Sequence, residues 1–192
     1  MGKYKCIVAD PPWAYRDKRA YKGAGQGLDT HYEQVDLEKL KAFPINDVAH
    51  KNCFLFVWSV SPQPQEALEL VNAWGFKYVS KLYWIKGNST TQGMKFGPAM
   101  GRYWRGGVEE VLVCKRGKPK MPNTIHDMNV IFEKSRGHSS KPEALQNRIH
   151  HREFEGPYLE LFARRERKGW DCWGNELEGS DKKLGVSYEW WK

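Results

Sequence analysis

Apolar residues arrive along this chain in short continuous runs, separated by polar stretches with a helical or no period. The first run, YKCIVA at 4–9, shows no alternation and reads as a strand buried on both faces; a double proline ends it, since proline cannot extend a ladder or donate a backbone N–H. CFLFVWS at 53–59 is a second such strand, and residues 36–42 suit a short helix between the two. From Ser61 and Pro62 onward, the spacing of Ala67, Leu70, Val71 and Trp74 predicts a helix closed by Gly75. Further strands are expected at 76–86, 108–114, 128–132 and 157–163. Ser140, Pro142 and Glu143 resemble a capping box that opens a helix through Arg152. Residues 16–34 and 87–107 carry no apolar period and read as loops, and none is clear after Ala163.

Strands and helices alternate throughout, and the strands are continuously apolar. That combination predicts an α/β sheet with helices on both faces, in a single domain over residues 1–192. Ligands of such sheets bind beyond the carboxyl ends of the strands, where the strand order reverses. Asp10 and the residues after Phe162 are therefore the places to look for chemistry.

Composition narrows the partners. Lys and Arg number 31 against 23 Asp and Glu, a net charge of +8 and a pI near 9.3, which favours an anionic partner such as nucleic acid. Nine Trp, nine Tyr and eight Phe can fill a core or offer faces to bases. Cys6, Cys53, Cys114 and Cys172 are widely spaced, with no C-x-x-C pair and no His at ligand spacing, so free thiols in a reducing compartment and no metal are expected. With no membrane-length apolar run and no leader pattern, a soluble intracellular protein with no membrane partner is expected. The glycines of GAGQG at 23–27 are explained by loop flexibility, because no helix pattern follows as a phosphate-binding turn requires.

The stretch IVADPPWAY at 7–15 carries the sharpest chemical suggestion. An exocyclic amine of a base is a poor nucleophile because its lone pair is delocalised into the ring. Two acceptors aimed at its N–H bonds would hold it pyramidal: a carboxylate oxygen of Asp10 and the backbone carbonyl of Pro11. The carboxylate would also help carry the developing positive charge. Pro12 stiffens the turn, and Trp13 can stack on or wall in a base that has left its helix. A strand-ending turn with a capping Asp and a packed Trp is the plain alternative.

The chain resembles the DPPW-type adenine-N6 methyltransferases, the permuted family of phage and bacterial DNA adenine methyltransferases and of the catalytic subunit of the eukaryotic messenger-RNA adenosine methyltransferase. The likeness rests on ADPPW (9–13), HY and LEKL (31–40), FLFVWS (54–59), WGF (74–76) and YWIK (83–86). It continues through GRYWRGGVEEVLVCKRGKP (101–119), HSSKPE (138–143) and LELFARRERKGWDCWGNE (159–176). It implies a Rossmann-like methyltransferase sheet with the catalytic motif ahead of the cofactor motif, and S-adenosylmethionine as methyl donor. Lys141 then matches the lysine beside the methionine carboxylate, and Asp10 lies near the methionine amine. Arg164, Asn175 and Glu176 match positions that hold ribose and adenosine, and Glu160 and Phe162 belong to the same motif, Phe162 equally suiting a core position. Two departures stand out: Ala163 occupies the place of a family glycine, and no G-x-G loop is present. The acidic cofactor residue that some members carry on a strand ahead of DPPW has no counterpart here, so residues 124–132, with Asp127 and Met128, are candidates to complete the adenine pocket.

The resemblance also places a nucleic-acid surface on the two loops. Arg16, Lys18, Arg19, Lys22 and Tyr32 come from the first, and Lys95, Arg102, Tyr103, Trp104 and Arg105 from the second. Basic residues there would contact phosphates, and Tyr32 and the Tyr103–Trp104 pair could bracket a flipped base. The implied activity is site-specific methylation of adenine N6 in DNA, in the cytoplasm of a bacterium or phage-infected cell. RNA is the alternative substrate, and a silent nucleic-acid-binding partner subunit is the alternative role. Asp10 counts against cytosine-N4 transfer, where serine commonly stands first in the motif. A homodimer or a heterodimer is left open.

Overall fold

The computed structural model describes residues 2–14, 34–90, 93–96, 103–123, 127–135 and 140–187. In chain order its elements are β1 (Tyr4–Ala9), α1 (Leu37–Lys41), α2 (Ile45–Val48), β2 (Ala49–Ser59), α3 (Pro64–Ala73), β3 (Lys77–Thr90) and β4 (Gly93–Phe96). They continue with β5 (Val108–Arg116), β6 (Val130–Glu133), α4 (Ala144–His151), β7 (Tyr158–Leu161), β8 (Asp171–Trp173) and α5 (Ser180–Leu184).

The strands join in the order β4-β3-β5-β2-β1-β7-β8, with β6 pairing β3. β1 lies between β2 and β7 and is parallel to both, whereas β5 is antiparallel to β2 and to β3. The chain leaves β1 on the β2 side and returns on the other side as β7, so strand order reverses at β1. Ala9 sits opposite Leu161 there, and Asp10 and Phe162 emerge side by side from the same sheet edge.

Period-two alternation explains the continuous apolar runs. Ile7, Ala9, Leu55 and Val57 face a core with Leu40 of α1 and Leu70 and Val71 of α3. Cys6, Val8, Phe54, Phe56 and Trp58 face the opposite core with Leu145 and Ile149 of α4. Both faces of the central strands β1 and β2 are covered, so their runs are almost wholly apolar, whereas the start of β3 is exposed. This is the α/β layering expected from the pattern.

Several boundaries differ from the expectation. β2 starts at Ala49, after the one-turn helix α2, and α3 starts at Pro64 rather than at Ser61. β3 runs on to Thr90 and turns back as β4, so part of the expected 87–107 loop is a hairpin. The capping box at Ser140 does not form. Helix α4 begins only at Ala144, Glu143 makes no side-chain cap bond, and its carboxylate pairs instead with Arg165 at 3.0 Å. Lys141 and Pro142 are left in an irregular segment ahead of the helix. The patternless tail holds β8 and α5, three and five residues long and too short to show a period. Among the described residues, no helix is long and apolar enough to cross a membrane.

Candidate active site

The turn after β1 is stapled through its own backbone. The Asp10 N–H donates to the Leu161 carbonyl at 3.3 Å, the Trp13 N–H to the Pro11 carbonyl at 2.9 Å, and the Val35 N–H to the Pro12 carbonyl at 2.9 Å. Gln63, just ahead of α3, donates to the Ala14 carbonyl at 2.8 Å. Because both prolines lack N–H groups, the turn presents carbonyls without competing donors, and each carbonyl keeps a second lone pair. Trp13 is 4% exposed, packs in the core, and donates its indole N–H to the Trp58 carbonyl at 3.0 Å. Its ring thus anchors the turn from below.

Above that turn, four charged side chains form an alternating row. Lys141 Nζ lies 3.0 Å from Asp10 Oδ1 and 3.4 Å from Glu109 Oε2, and Lys86 Nζ lies 2.6 Å from Glu109 Oε1. The ammonium groups of Lys141 and Lys86 stand 5.5 Å and 5.2 Å from the ring centres of Trp58 and Trp84. Those two rings meet edge to face at 5.9 Å and form an apolar floor. Burial pushes the Asp10 carboxyl up, and Lys141 pulls it back only in part, so it stays above the ordinary aspartate value. Burial also pushes Glu109 up, but Lys141 and Lys86 outweigh it and hold Glu109 below its usual range. Lys141 loses solvation yet keeps its proton well above the usual lysine value, held by Asp10 and Glu109.

The second part of the site follows β7. Glu160 Oε2 accepts from Gln146 Nε2 at 3.0 Å and lies 3.2 Å from Arg167 Nε. Phe162 turns the chain with a left-handed φ of 61°, and its ring, 6% exposed, packs against Phe43 and Trp173. Its side chain serves the core, and its backbone directs the next residues out of the sheet. Ala163 N–H donates to the Trp173 carbonyl at 2.8 Å, which locks this turn to the one after β8. The approach is so close that a Cβ at Gly174 would fall 2.0 Å from the Ala163 carbonyl oxygen, so only glycine fits. Arg164 Nε therefore reaches Glu176 Oε1 at 2.8 Å, both exposed, with Asn175 beside them on the surface.

Asp10 and Lys141 are thus in direct contact, and Arg164 pairs with Glu176 beside Asn175. Glu160 is engaged with Gln146 and Arg167. Tyr103 and Trp104 are 84% and 88% exposed, and with the exposed Arg105 they precede the strand that carries Glu109. Arg16, Lys18, Arg19, Lys22, Tyr32 and Arg102 lie outside the described residues. Asp127 and Met128 line a cavity of about 310 Å³ with Lys81, Arg148 and Phe154, which includes none of the charged row and none of Arg164, Asn175 and Glu176. The adenine-pocket role considered for them finds no support in that placement.

Sequence reading missed Glu109, Lys86, Gln146 and Arg167. The start of β5 reaches the carboxyl edge of β2 because the pair is antiparallel, with Glu110 opposite Ser59. The end of β3 reaches the same edge, with Ile85 opposite Val108. An acid at a strand's beginning and a lysine at another's end become neighbours only once strand direction is known. The hints in the sequence are the charged pair Glu109–Glu110, opening an otherwise apolar run, and the stretches YWIK and GRYWRGGVEEVLVCKRGKP, which carry Lys86 and Glu109 within the family likeness.

The family model MT-A70 matches residues 4–176. The chain is 32% identical over 200 residues to Type II methyltransferase M.MunI of Mycoplasma sp., an alignment that covers 96% of this chain and 81% of the relative. It is 27% identical over 181 residues to the N(6)-adenosine-methyltransferase catalytic subunit METTL3 of Homo sapiens, covering 93% of this chain and 29% of that protein. The MT-A70-like N(6)-adenosine-methyltransferase protein of Drosophila melanogaster is 24% identical over the same length, with 28% of it covered.

Proposed function

This chain belongs to the MT-A70 family of S-adenosylmethionine-dependent adenine-N6 methyltransferases, and from that premise we propose that it methylates adenine in DNA, as a site-specific DNA methyltransferase. The observation that carries the chemistry is the contact of Asp10 with Lys141, at the point where strand order reverses. DNA is favoured over RNA by the alignment with a Type II methyltransferase over 81% of its length, against 29% for METTL3. The +8 charge suits either polymer.

The residues present suit the donor. A zwitterionic amino-acid end requires a cation and a carboxylate side by side, which Lys141 and Asp10 supply. Ribose hydroxyls require an amide and a carboxylate, which Asn175 and Glu176 supply at the surface, with Arg164 holding Glu176 in place. When bound, the donor contributes an electrophilic methyl group on a sulfonium. The chain does the rest. Lys141 takes Asp10 Oδ1, leaving Oδ2 to accept one N–H of the adenine amine. The second lone pair of the Pro11 carbonyl accepts the other N–H and holds the nitrogen lone pair toward the methyl group. Transfer would break the sulfonium S–CH3 bond and release a neutral thioether; the carboxylate lowers the energy of the positive nitrogen so formed, whose surplus proton would then pass to solvent. Tyr103 and Trp104 offer exposed rings for the extruded base, and Arg105 offers a cation for its phosphate.

The test supplies labelled donor with unmethylated DNA and, separately, RNA, followed by nucleoside analysis. Label in N6-methyladenine from DNA is the expected result, and Asp10→Asn should reduce it by about 100-fold or more with the fold retained. Label in RNA alone would replace DNA with RNA. No label in either polymer, from protein that still binds donor, would end the enzymatic reading.

A further inference from the structure

The charged row holds more than the amine grip needs. Asp10 and Lys141 alone would form a closed pair, in which a lysine holding a carboxylate alone in a half-dry site would neutralise the acceptor the reaction depends on. Glu109 prevents that closure. It reaches the same Lys141 ammonium at 3.4 Å, and it is itself held by Lys86 at 2.6 Å. The four groups carry two positive and two negative charges in alternation, each side chain being 26% exposed or less. The strands fix the spacing: Glu109 faces Trp84 across the β3–β5 pair, and Lys86 follows two residues later on β3. The Trp58–Trp84 floor lies beneath both ammonium groups, so neither can sink away from its carboxylates.

We propose that Glu109, braced by Lys86, is a positioning residue that divides Lys141 between two carboxylates, keeping Asp10 an open and strong acceptor for the adenine amine. This inference rests on the amine-holding role of Asp10. Glu109 touches neither amine nor donor in this scheme and acts only through Lys141. Removing Glu109 gives Asp10 the whole of Lys141, which stabilises the Asp10 anion and weakens it as an acceptor. Removing Lys86 does the reverse: Glu109 turns fully to Lys141 and draws it away from Asp10.

The two changes therefore move Asp10 in opposite directions, which simple loosening of the site would not do. The experiment titrates the Asp10 carboxyl by carbon NMR in protein labelled at aspartate side chains, with Asp10→Asn giving the assignment, in wild type, Glu109→Gln, Glu109→Asp and Lys86→Met. Glu109→Gln should lower the Asp10 midpoint by roughly one pH unit, Lys86→Met should raise it, and Glu109→Asp should stay near wild type. In the methylation assay, kcat/KM of Glu109→Gln should fall by about 10-fold to 100-fold, with its acid limb moved to lower pH. An unmoved midpoint in Glu109→Gln, or shifts of the same sign in both variants, overturns the proposal. If Glu109→Gln fails to fold, Lys86→Met decides alone, and a midpoint that does not rise overturns it. The titration needs no turnover, so a wild-type protein without methyl transfer would refute the proposed function and leave the Glu109 coupling decided separately.

Discussion

Replacing Lys141 by Met removes the cation at the centre of the row and keeps a chain able to cover the Trp58 ring. In the native protein, Lys141 lies 3.0 Å from Asp10 and 3.4 Å from Glu109, with 17% of its side chain exposed. At an effective dielectric of about 20, one such pair is worth roughly 4 kcal/mol before desolvation is counted, and removing one partner of a buried pair costs about 3–5 kcal/mol. Glu109 keeps Lys86, and Asp10 can escape its lost partner by taking a proton, so a loss of about 3 kcal/mol near pH 8 is expected. For a chain of this size that lowers Tm by roughly 6–12 °C. The pH dependence carries the argument. Asp10 already sits above its ordinary value because of burial, and without Lys141 it rises further. A carboxyl whose folded pKa exceeds its unfolded pKa destabilises the fold at high pH, and that cost fades as pH falls through the folded value. In the wild type, Lys141, raised above its ordinary value, stabilises at every pH below about 10. The gap between wild type and variant in urea melts should therefore narrow from pH 8 to pH 5. A gap of equal size at both pH values would show that lost packing, not lost charge, destabilises the variant, and no gap at pH 8 would remove Lys141 from the charged row.

Three other outcomes are expected. Gly174→Ala forces a Cβ toward the Ala163 carbonyl oxygen, so it should cost about 1–3 kcal/mol in denaturant melts and weaken donor binding by calorimetry; undisturbed binding would uncouple the two loops. The acid limb of kcat/KM should lie above the ordinary aspartate pKa, because Asp10 must be ionised to accept the amine and burial raises it; activity persisting unchanged below that value would exclude an ionised Asp10. Cys53 and Cys114 are buried and their thiols are pushed up to about 12, so a disulfide reagent near neutral pH should modify them only after unfolding, whereas rapid reaction in the native protein would contradict the core placement.

Much of this protein was already determined by its sequence. The continuous apolar runs at 4–9 and 53–59 could only be strands covered on both faces, since each alternate residue feeds a different core. That fixed the layering and put Asp10 at a carboxyl edge. DPPW suggests a role for Asp10 from its own neighbours, whereas Lys141, Asn175 and Glu176 are implied by the resemblance of HSSKPE and WGNE to the family motifs. Short elements escaped detection, since β8 and α5 have three and five residues and no room for a period. The capping box at Ser140 misled because Glu143 found a better partner in Arg165, a contact between segments far apart in the chain. The DPPW stretch suggests Trp13 as a wall for the base, but its indole N–H donates to the Trp58 carbonyl on the neighbouring strand, a partner sequence spacing does not announce. Only the tertiary structure could bring Glu109 and Lys86 to the site. They stand on antiparallel strands whose relative direction puts one strand's start and the other's end on the same edge as Asp10. Charge spacing across a sheet depends on strand order and direction, which are set by the packing of the whole chain rather than by any window of it.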